Sequence, residues 1–171
     1  DKELYDRAQS LKNLAFGTDS RYFHEEVGFN YRMTNVQAAI GLGQLEKIDS
    51  FLRIKRGNAR AYNRGLEGIK GVVTPLEEDY AKNSYWMYAV RFDGFVMDKE
   101  SVKKELLRRG IDTRDFFTGM NEQPIFRDIV PANERFPVSR RLSETGLYLP
   151  SGMNLKAEEI EYVCDSIREI G

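Results

Sequence analysis

The 171-residue chain is 41% hydrophobic and 31% charged, the balance of a soluble globular protein, and it carries 26 Lys and Arg against 27 Asp and Glu. Without a basic excess, nucleic acid is not the expected partner; no apolar run approaches the ~20 residues that span a bilayer, and no charged-then-apolar leader is read. Cys164 is the only cysteine, which excludes intramolecular disulfides and cysteine-rich metal sites, and a cytoplasmic protein is the expectation.

Leu4, Ala8, Leu11 and Leu14 recur at helical spacing before Gly17, an amphipathic helix whose stripe needs something to pack on. The expectation is that its packing partner lies outside this chain. Residues 17–33 are polar and aromatic with no sustained period and read as a loop. Thr34 is then a helix cap, and Gln37 three residues later gives a capping-box spacing. Ile40, Leu45, Ile48, Leu52, Ala59, Tyr62 and Leu66 continue the apolar pattern, with Gly65 and Gly68 at its end. One helix of roughly 30 residues would extend ~45 Å, so it is expected to bridge two lobes or to kink. Gly41 and Gly43 lower helix propensity and suit the close approach of another backbone.

Val72–Thr74 is a short strand candidate stopped by Pro75. From Trp86 to Phe92 the alternation places Trp86, Tyr88, Val90 and Phe92 on one strand face. Asp98 caps a helix carrying Val102, Leu106 and Leu107, ended by Gly110, and Ile111–Phe117 reads as a further strand. A loop rich in turn formers runs from Thr118 to Phe136. Pro137 opens a short helix ending at Gly146, Leu147–Leu149 is a last strand before Pro150, and Asn154 caps a closing helix striped by Ile160, Val163, Ile167 and Ile170. The order predicts an α+β fold: a long helix, then a small mainly antiparallel sheet backed by helices. The expected divisions are 1–33, a connecting helix over 34–68 and a small domain over 69–171, with the weakest seam near 68–83.

The sequence has no phosphate loop ending in Lys-Ser/Thr, no paired-His metal spacing and no Gly-x-Ser-x-Gly elbow, and His24 is its only histidine. No metal site is expected. The segment Gly28-Phe29-Asn30-Tyr31-Arg32-Met33-Thr34-Asn35 differs, because it sets an amide, a phenol and a guanidinium before a helix N-terminus. Unpaired N–H groups and the helix dipole favour an anion there, and Asn30 and Arg32 add donors suited to a phosphate. The plain alternative is an ordinary helix start with Arg32 in solvent.

The stretch from Tyr22 to Glu46, with Val27-Gly28-Phe29-Asn30-Tyr31-Arg32-Met33-Thr34-Asn35 at its centre, closely resembles the DegT/DnrJ/EryC1/StrS family. These are fold-type-I pyridoxal-phosphate (PLP) enzymes that mostly aminate nucleotide-linked keto-sugars. Arg108-Arg109-Gly110-Ile111-Asp112-Thr113-Arg114, Phe116-Phe117, Gln123-Pro124, Phe136-Pro137-Val138-Ser139 and Gly146-Leu147-Tyr148-Leu149-Pro150-Ser151-Gly152 continue the likeness in order over nearly the whole chain. The details from Tyr22 to Asn35 and from Gly146 to Gly152 are most similar to the perosamine-synthase branch, which implies a GDP-linked 4-keto-6-deoxy sugar.

The resemblance implies that this chain is the C-terminal lobe, with residues 1–33 ending the large PLP domain. No lysine here lies in a segment resembling the family's Schiff-base lysine, so the chain contributes no catalytic residue and is expected to be inactive alone. It further implies a homodimer, PLP as cofactor, glutamate as amino donor and a nucleotide-sugar acceptor. Asn30, Arg32 and, third, Tyr31 are expected to reach the PLP phosphate held by the other subunit. The loop from Arg21 to His24 is expected to border the sugar nucleotide, with a structural role for His24 equally open. Arg114 could hold a diphosphate or the donor's carboxylate, with Phe117 beside it; the alternative is a salt-bridged strand-end arginine and two core aromatics. Asn121 stands where many members carry histidine; it can hydrogen-bond a sugar hydroxyl but cannot titrate near neutral pH. Two other readings stay open: a PLP-dependent sugar dehydratase of the same superfamily, and a non-catalytic α+β interaction domain.

Overall fold

The computed structural model describes residues 1–16, 22–24, 26–126, 128–129 and 136–171. They form two units, Asp1–Ile48 and Asp49–Gly171.

In the first unit, α1 (Lys2–Lys12) starts at Asp1, whose side chain accepts from the Leu4 N–H, and ends earlier than the apolar stripe suggested. Leu14 and Ala15 turn back through left-handed backbone with φ of 67° and 50°. Residues 27–33 follow as extended chain laid against this turn, while 17–21 and 25 of the expected loop lie outside the described residues. Thr34 caps α2 (Asn35–Leu45) as expected: its hydroxyl accepts from the Gln37 N–H, and the Gln37 side chain accepts from the Thr34 N–H. Every residue of α2 except Gly43 is exposed, including Val36, Ile40, Leu42 and Leu45, and none is buried.

The helix expected over 34–68 to bridge two lobes or to kink does break: it is two helices, with a turn at Glu46–Lys47 before α3 (Ile48–Leu66). There the Lys47 N–H bonds to Gln44, three residues back, so the ladder tightens and breaks register. The two helices also part company in packing. Ala59, Tyr62 and Leu66 of α3 enter the core of the second unit, whereas α2 buries nothing. The seam therefore falls at residues 48–49 rather than near 68–83. Beyond the helix's own backbone, no atom of the described residues lies within 4 Å of a Cβ built on Gly41 or Gly43, so none of them uses the space these glycines leave.

The second unit is a four-stranded antiparallel sheet in the order β1-β2-β4-β3, built from β1 (Val72–Val73), β2 (Tyr88–Phe92), β3 (Arg114–Asp115) and β4 (Gly146–Leu149). Tyr88, Val90 and Phe92 alternate into the core with Leu147 and Leu149. Helices α3, α4 (Lys99–Arg108) and α6 (Ala157–Glu169) add Ala59, Tyr62, Leu66, Val102, Leu106, Ile160, Val163, Cys164 and Ile167, and Tyr85, Ile111 and Ile170 complete the core from outside these elements. Tyr62 and Tyr88 stack at 4.6 Å, and the Tyr62 hydroxyl donates to the Pro150 carbonyl at 2.8 Å. Burial pushes the Cys164 thiol up to about 11. A Cβ on Gly65 would meet Cys164 Sγ at 2.5 Å, so glycine lets α3 and α6 approach. Helix α5 (Pro137–Thr145) begins with proline in its first turn, as expected.

Three expectations about element ends need correction. Trp86 does not join the strand face; it is 66% exposed and β2 starts two residues later. Its ladder stops because Tyr88 pairs with Leu149, the last residue before Pro150, and because Tyr85 adopts a left-handed φ of 49°. The strand over Ile111–Phe117 shrinks to Arg114–Asp115. Ile111 is taken up in ending α4: Gly110, at φ 76°, donates to Leu107 while Ile111 donates to Leu106, a Schellman motif. Lys156, not Asn154, precedes α6, because the Glu159 carboxylate accepts from the Lys156 N–H at 2.7 Å and fixes the start there. Within 118–136, short 3₁₀ turns form at Met120–Glu122 and Pro124–Phe126, and residues 127 and 130–135 lie outside the described residues.

Candidate functional site

In the first unit the Asn30–Arg32 segment is pinned by backbone. Phe29 N–H donates to Leu11 at 2.7 Å, Leu14 N–H to Phe29 at 3.1 Å and Tyr31 N–H to Lys12 at 3.0 Å. Gly28 makes this contact possible: a Cβ there would lie 2.1 Å from the Leu14 carbonyl carbon and 2.3 Å from the Ala15 nitrogen. The Phe29 and Tyr31 rings stack at 5.2 Å on one side of the extended segment.

These contacts leave polar groups open. The Asn30 amide has no hydrogen-bond partner among the described residues, and Arg32 has one, the Asn13 side-chain oxygen at 3.2 Å. The capping box occupies the Gln37 N–H but not those of Asn35 and Val36, the first two of the helix. The donor set is thus an amide, most of a guanidinium and two backbone N–H groups at the positive end of a helix dipole. That chemistry fits a phosphate.

His24 has a structural tie. Its Nδ1 lies 2.7 Å from the Leu14 carbonyl, and since a carbonyl only accepts, Nδ1 carries the proton and a neutral ring leaves Nε2 as acceptor. The ring also packs on Phe16 at 5.0 Å, while remaining exposed. Arg21 lies outside the described residues.

In the second unit Arg114 is exposed and makes no ion pair among the described residues. The salt-bridged alternative for it does not hold. Its neighbour Asp115 is held by Lys99 at 3.2 Å and by Lys103, whose hydrogen bond is the main cause that keeps the Asp115 carboxyl below the usual range. Phe117 is exposed rather than core, with its ring 5.8 Å from Tyr148, and Phe116 stacks on Tyr148 at 4.6 Å. Asn121 sits in the Met120–Glu122 turn, folded back towards Gly119, and does not line the cleft that Arg114 borders.

That cleft, about 390 Å³, was not legible beforehand beyond Arg114. Arg114 shares it with Lys55 of α3, Trp86, Thr113 and Tyr148, the residue opposite Arg114 in the β3–β4 register. Lys55 donates to the Ser151 carbonyl and, at 3.2 Å, to its hydroxyl. Trp86 is set in place by strain and a charged clamp. A left-handed tyrosine costs about 1–2 kcal/mol, and Tyr85 is held in it by its N–H donating to the Asn83 side chain at 2.8 Å and its hydroxyl donating to Glu77 at 3.3 Å. Arg56 locks Glu77 with two bonds of 2.6 and 3.0 Å. Arg56, and then the Asn83 N–H, hold the Glu77 carboxyl down to about 2.

A GDP-perosamine synthase from Escherichia coli O157:H7 is 32% identical over 169 residues, covering 99% of this chain and 45% of that protein. Another from Vibrio cholerae is 31% identical over 166 residues, covering 96% and 45%. The crystal structure of the aminotransferase TlmJ from Streptoalloteichus hindustanus superposes with a TM-score of 0.86 at 26% identity, covering 99% of this chain and 45% of that one. The chain thus spans a little under half the length of the proteins it matches. Residues 1–168, from α1 and the Asn30–Arg32 segment to the end of α6, match the DegT/DnrJ/EryC1/StrS aminotransferase family, a PLP family, and the chain belongs to it.

Proposed function

We propose that the whole protein moves an amino group from an amino acid, glutamate, to a nucleotide-linked keto-sugar, with GDP-4-keto-6-deoxymannose the favoured acceptor. The observation that carries this reading is the open donor set of Asn30, Arg32 and the first N–H groups of α2, which suits the phosphate of PLP. The similarity to GDP-perosamine synthases supports a GDP-linked acceptor. When bound, PLP supplies the electron sink for the transfer.

This chain's residues bind and orient. Asn30 donates its amide and Arg32 its guanidinium fork to phosphate oxygens, with Tyr31 a minor contributor. In a homodimer that phosphate belongs to the cofactor held by the other subunit, and the exposed apolar side chains of α2 favour such assembly. Arg114 binds an anionic part of a substrate, Phe117 borders it, and His24 offers Nε2 as an acceptor. Asn121 donates to a sugar hydroxyl and moves no proton. The cofactor lysine belongs to a part of the protein outside this chain.

The test uses the full-length protein. Arg32→Ala removes a charge-assisted bond of about 1.5–3 kcal/mol, so PLP dissociation should quicken roughly 10- to 100-fold; Asn30→Ala removes about 1 kcal/mol, roughly fivefold. Retention is read from cofactor absorbance after dialysis. Unchanged retention in both variants removes the phosphate assignment. Formation of a deoxygenated rather than an aminated sugar would replace amino transfer with dehydration.

A further inference from the structure

The ladder between β2 and β4 ends at the Tyr88–Leu149 pair. Past it the chain continues as Trp86–Met87 on one side and Pro150–Gly152 on the other, and both segments are walls of the cleft that Arg114 borders. Among the described residues no backbone hydrogen bond joins these two segments, and Pro150 has no N–H to give. Their spacing is therefore not set by the sheet.

Helix α3 holds both walls from two adjacent residues. Consecutive side chains leave a helix about 100° apart, so Lys55 and Arg56 reach different walls. Lys55 donates to the Ser151 carbonyl and, at 3.2 Å, to its hydroxyl. Asn58 donates to the Gly152 carbonyl at 3.1 Å and the Tyr62 hydroxyl to the Pro150 carbonyl at 2.8 Å. Residues 55, 58 and 62 share one helix face, so one stripe of donors takes three consecutive carbonyls. Lys55 has no carboxylate partner among the described residues, and burial lowers its pKa, so its ammonium is spent on neutral oxygens of the wall. Arg56 turns the other way. Besides its two bonds to Glu77 it donates to the Asn83 carbonyl at 2.6 Å. Glu77 in turn accepts from the Asn83 N–H at 2.9 Å and from the Tyr85 hydroxyl, so the segment leading into Trp86 hangs on Arg56.

We propose that Lys55 and Arg56 are positioning residues that fix the width of this cleft, tying its two walls to one helix where the sheet no longer joins them. The proposal rests on the reading above, in which Arg114 meets an anionic part of a substrate at the same cleft. Neither residue needs to touch substrate: Lys55 acts through Ser151, and Arg56 through Glu77, Tyr85 and Trp86.

The test is steady-state kinetics of the full-length, PLP-loaded protein with both substrates, comparing Lys55→Met, Arg56→Met and Lys55→Arg with Arg114→Gln. The substrate whose KM rises in Arg114→Gln should show a KM about tenfold higher in Lys55→Met and in Arg56→Met, with kcat within about threefold. Lys55→Arg keeps a charged donor at its wall and should recover most of the loss. A merely structural role would lower kcat through lost folded enzyme and leave KM alone; that result overturns the proposal. So does an Arg114→Gln protein with both KM values unchanged, because it removes the substrate from this cleft. Arg53→Met, at an exposed residue of α3 without a partner among the described residues, should behave as the parent, and an equal rise in KM there also overturns it.

Hydrogen exchange reads the same geometry without turnover. In Arg56→Met the Asn83 and Tyr85 amides should exchange about tenfold faster while Val90 keeps its protection. Retained protection at Asn83 and Tyr85 sinks the proposal even where amino transfer is seen. Faster exchange there, in a protein that transfers no amino group to a sugar nucleotide, sinks the reaction reading and leaves the positioning pair standing.

Discussion

Gly28→Ala tests how the family signature builds its phosphate-facing loop. The added Cβ would stand 2.1 Å from the Leu14 carbonyl carbon and 2.6 Å from its Cα, where carbon atoms rest at about 3.5–4.0 Å. Both obstacles are backbone, so the two segments must separate by more than about 1 Å. That separation stretches all three bonds joining them, now 2.7, 3.1 and 3.0 Å, beyond useful length. At about 1 kcal/mol each the loss is about 3 kcal/mol. None of these residues belongs to the core of the second unit, so the loss should appear as local opening. Hydrogen exchange at the amides of Leu14, Phe29 and Tyr31 should accelerate by roughly 100-fold, while Val90 in the sheet keeps its protection. In the full protein, PLP retention should fall as it does for Asn30→Ala, although Asn30 is still present. Unaltered exchange at Leu14 and Phe29 would refute the argument, as would equal acceleration at Val90.

Two further predictions concern the second unit. Ile167→Ala, at a side chain with no exposure, should lower unfolding stability by about 2–5 kcal/mol in urea titration; a loss below about 1 kcal/mol would mean that α6 is not part of the cooperative core. The carboxyl of Glu77 is depressed in the folded state, so its contribution is complete above its ordinary value of 4.5 and is lost as pH falls towards about 2. The thermal midpoint of the parent should therefore drop more steeply over that window than that of Glu77→Gln, and parallel curves would contradict the Arg56–Glu77 clamp.

The fold was legible wherever local chemistry and tertiary packing agreed. Thr34 and Gln37 lie close enough in sequence to form their capping box unaided, and the stripe of Ile160, Val163 and Ile167 states which face of α6 must be buried. The apolar pattern failed between Ile40 and Leu66 because periodicity records that side chains are apolar, not which body they pack on. Ile40 and Tyr62 fit the same helical pattern, yet one stays exposed and the other lies in a core. The strand after Gly110 was read too long for a related reason. Ile111 has strand propensity, but a glycine able to adopt positive φ just before it gives Ile111 a stronger use in closing α4.

The site shows the same division between local and distant information. Asn30 and Arg32 stood out because a helix start concentrates its chemistry within a few residues. Lys55 and Ser151 are 96 residues apart, and nothing around Lys55 on an amphipathic helix distinguishes it from a solvated lysine. Trp86 was misassigned because alternation from Trp86 to Phe92 is unbroken, and alternation carries no sign of the left-handed residue at Tyr85 or of the bend that follows it. That left-handed conformation depends on Glu77 and Arg56, the latter nearly thirty residues upstream, and their ion pair stabilises a backbone that tyrosine alone would avoid. A strand-forming residue kept off its strand by a distant ion pair is a local rule broken with a visible compensation. Such breaks concentrate at functional sites, and the feature that defeated the sequence reading at Trp86 lies on the wall of the cleft that Arg114 borders.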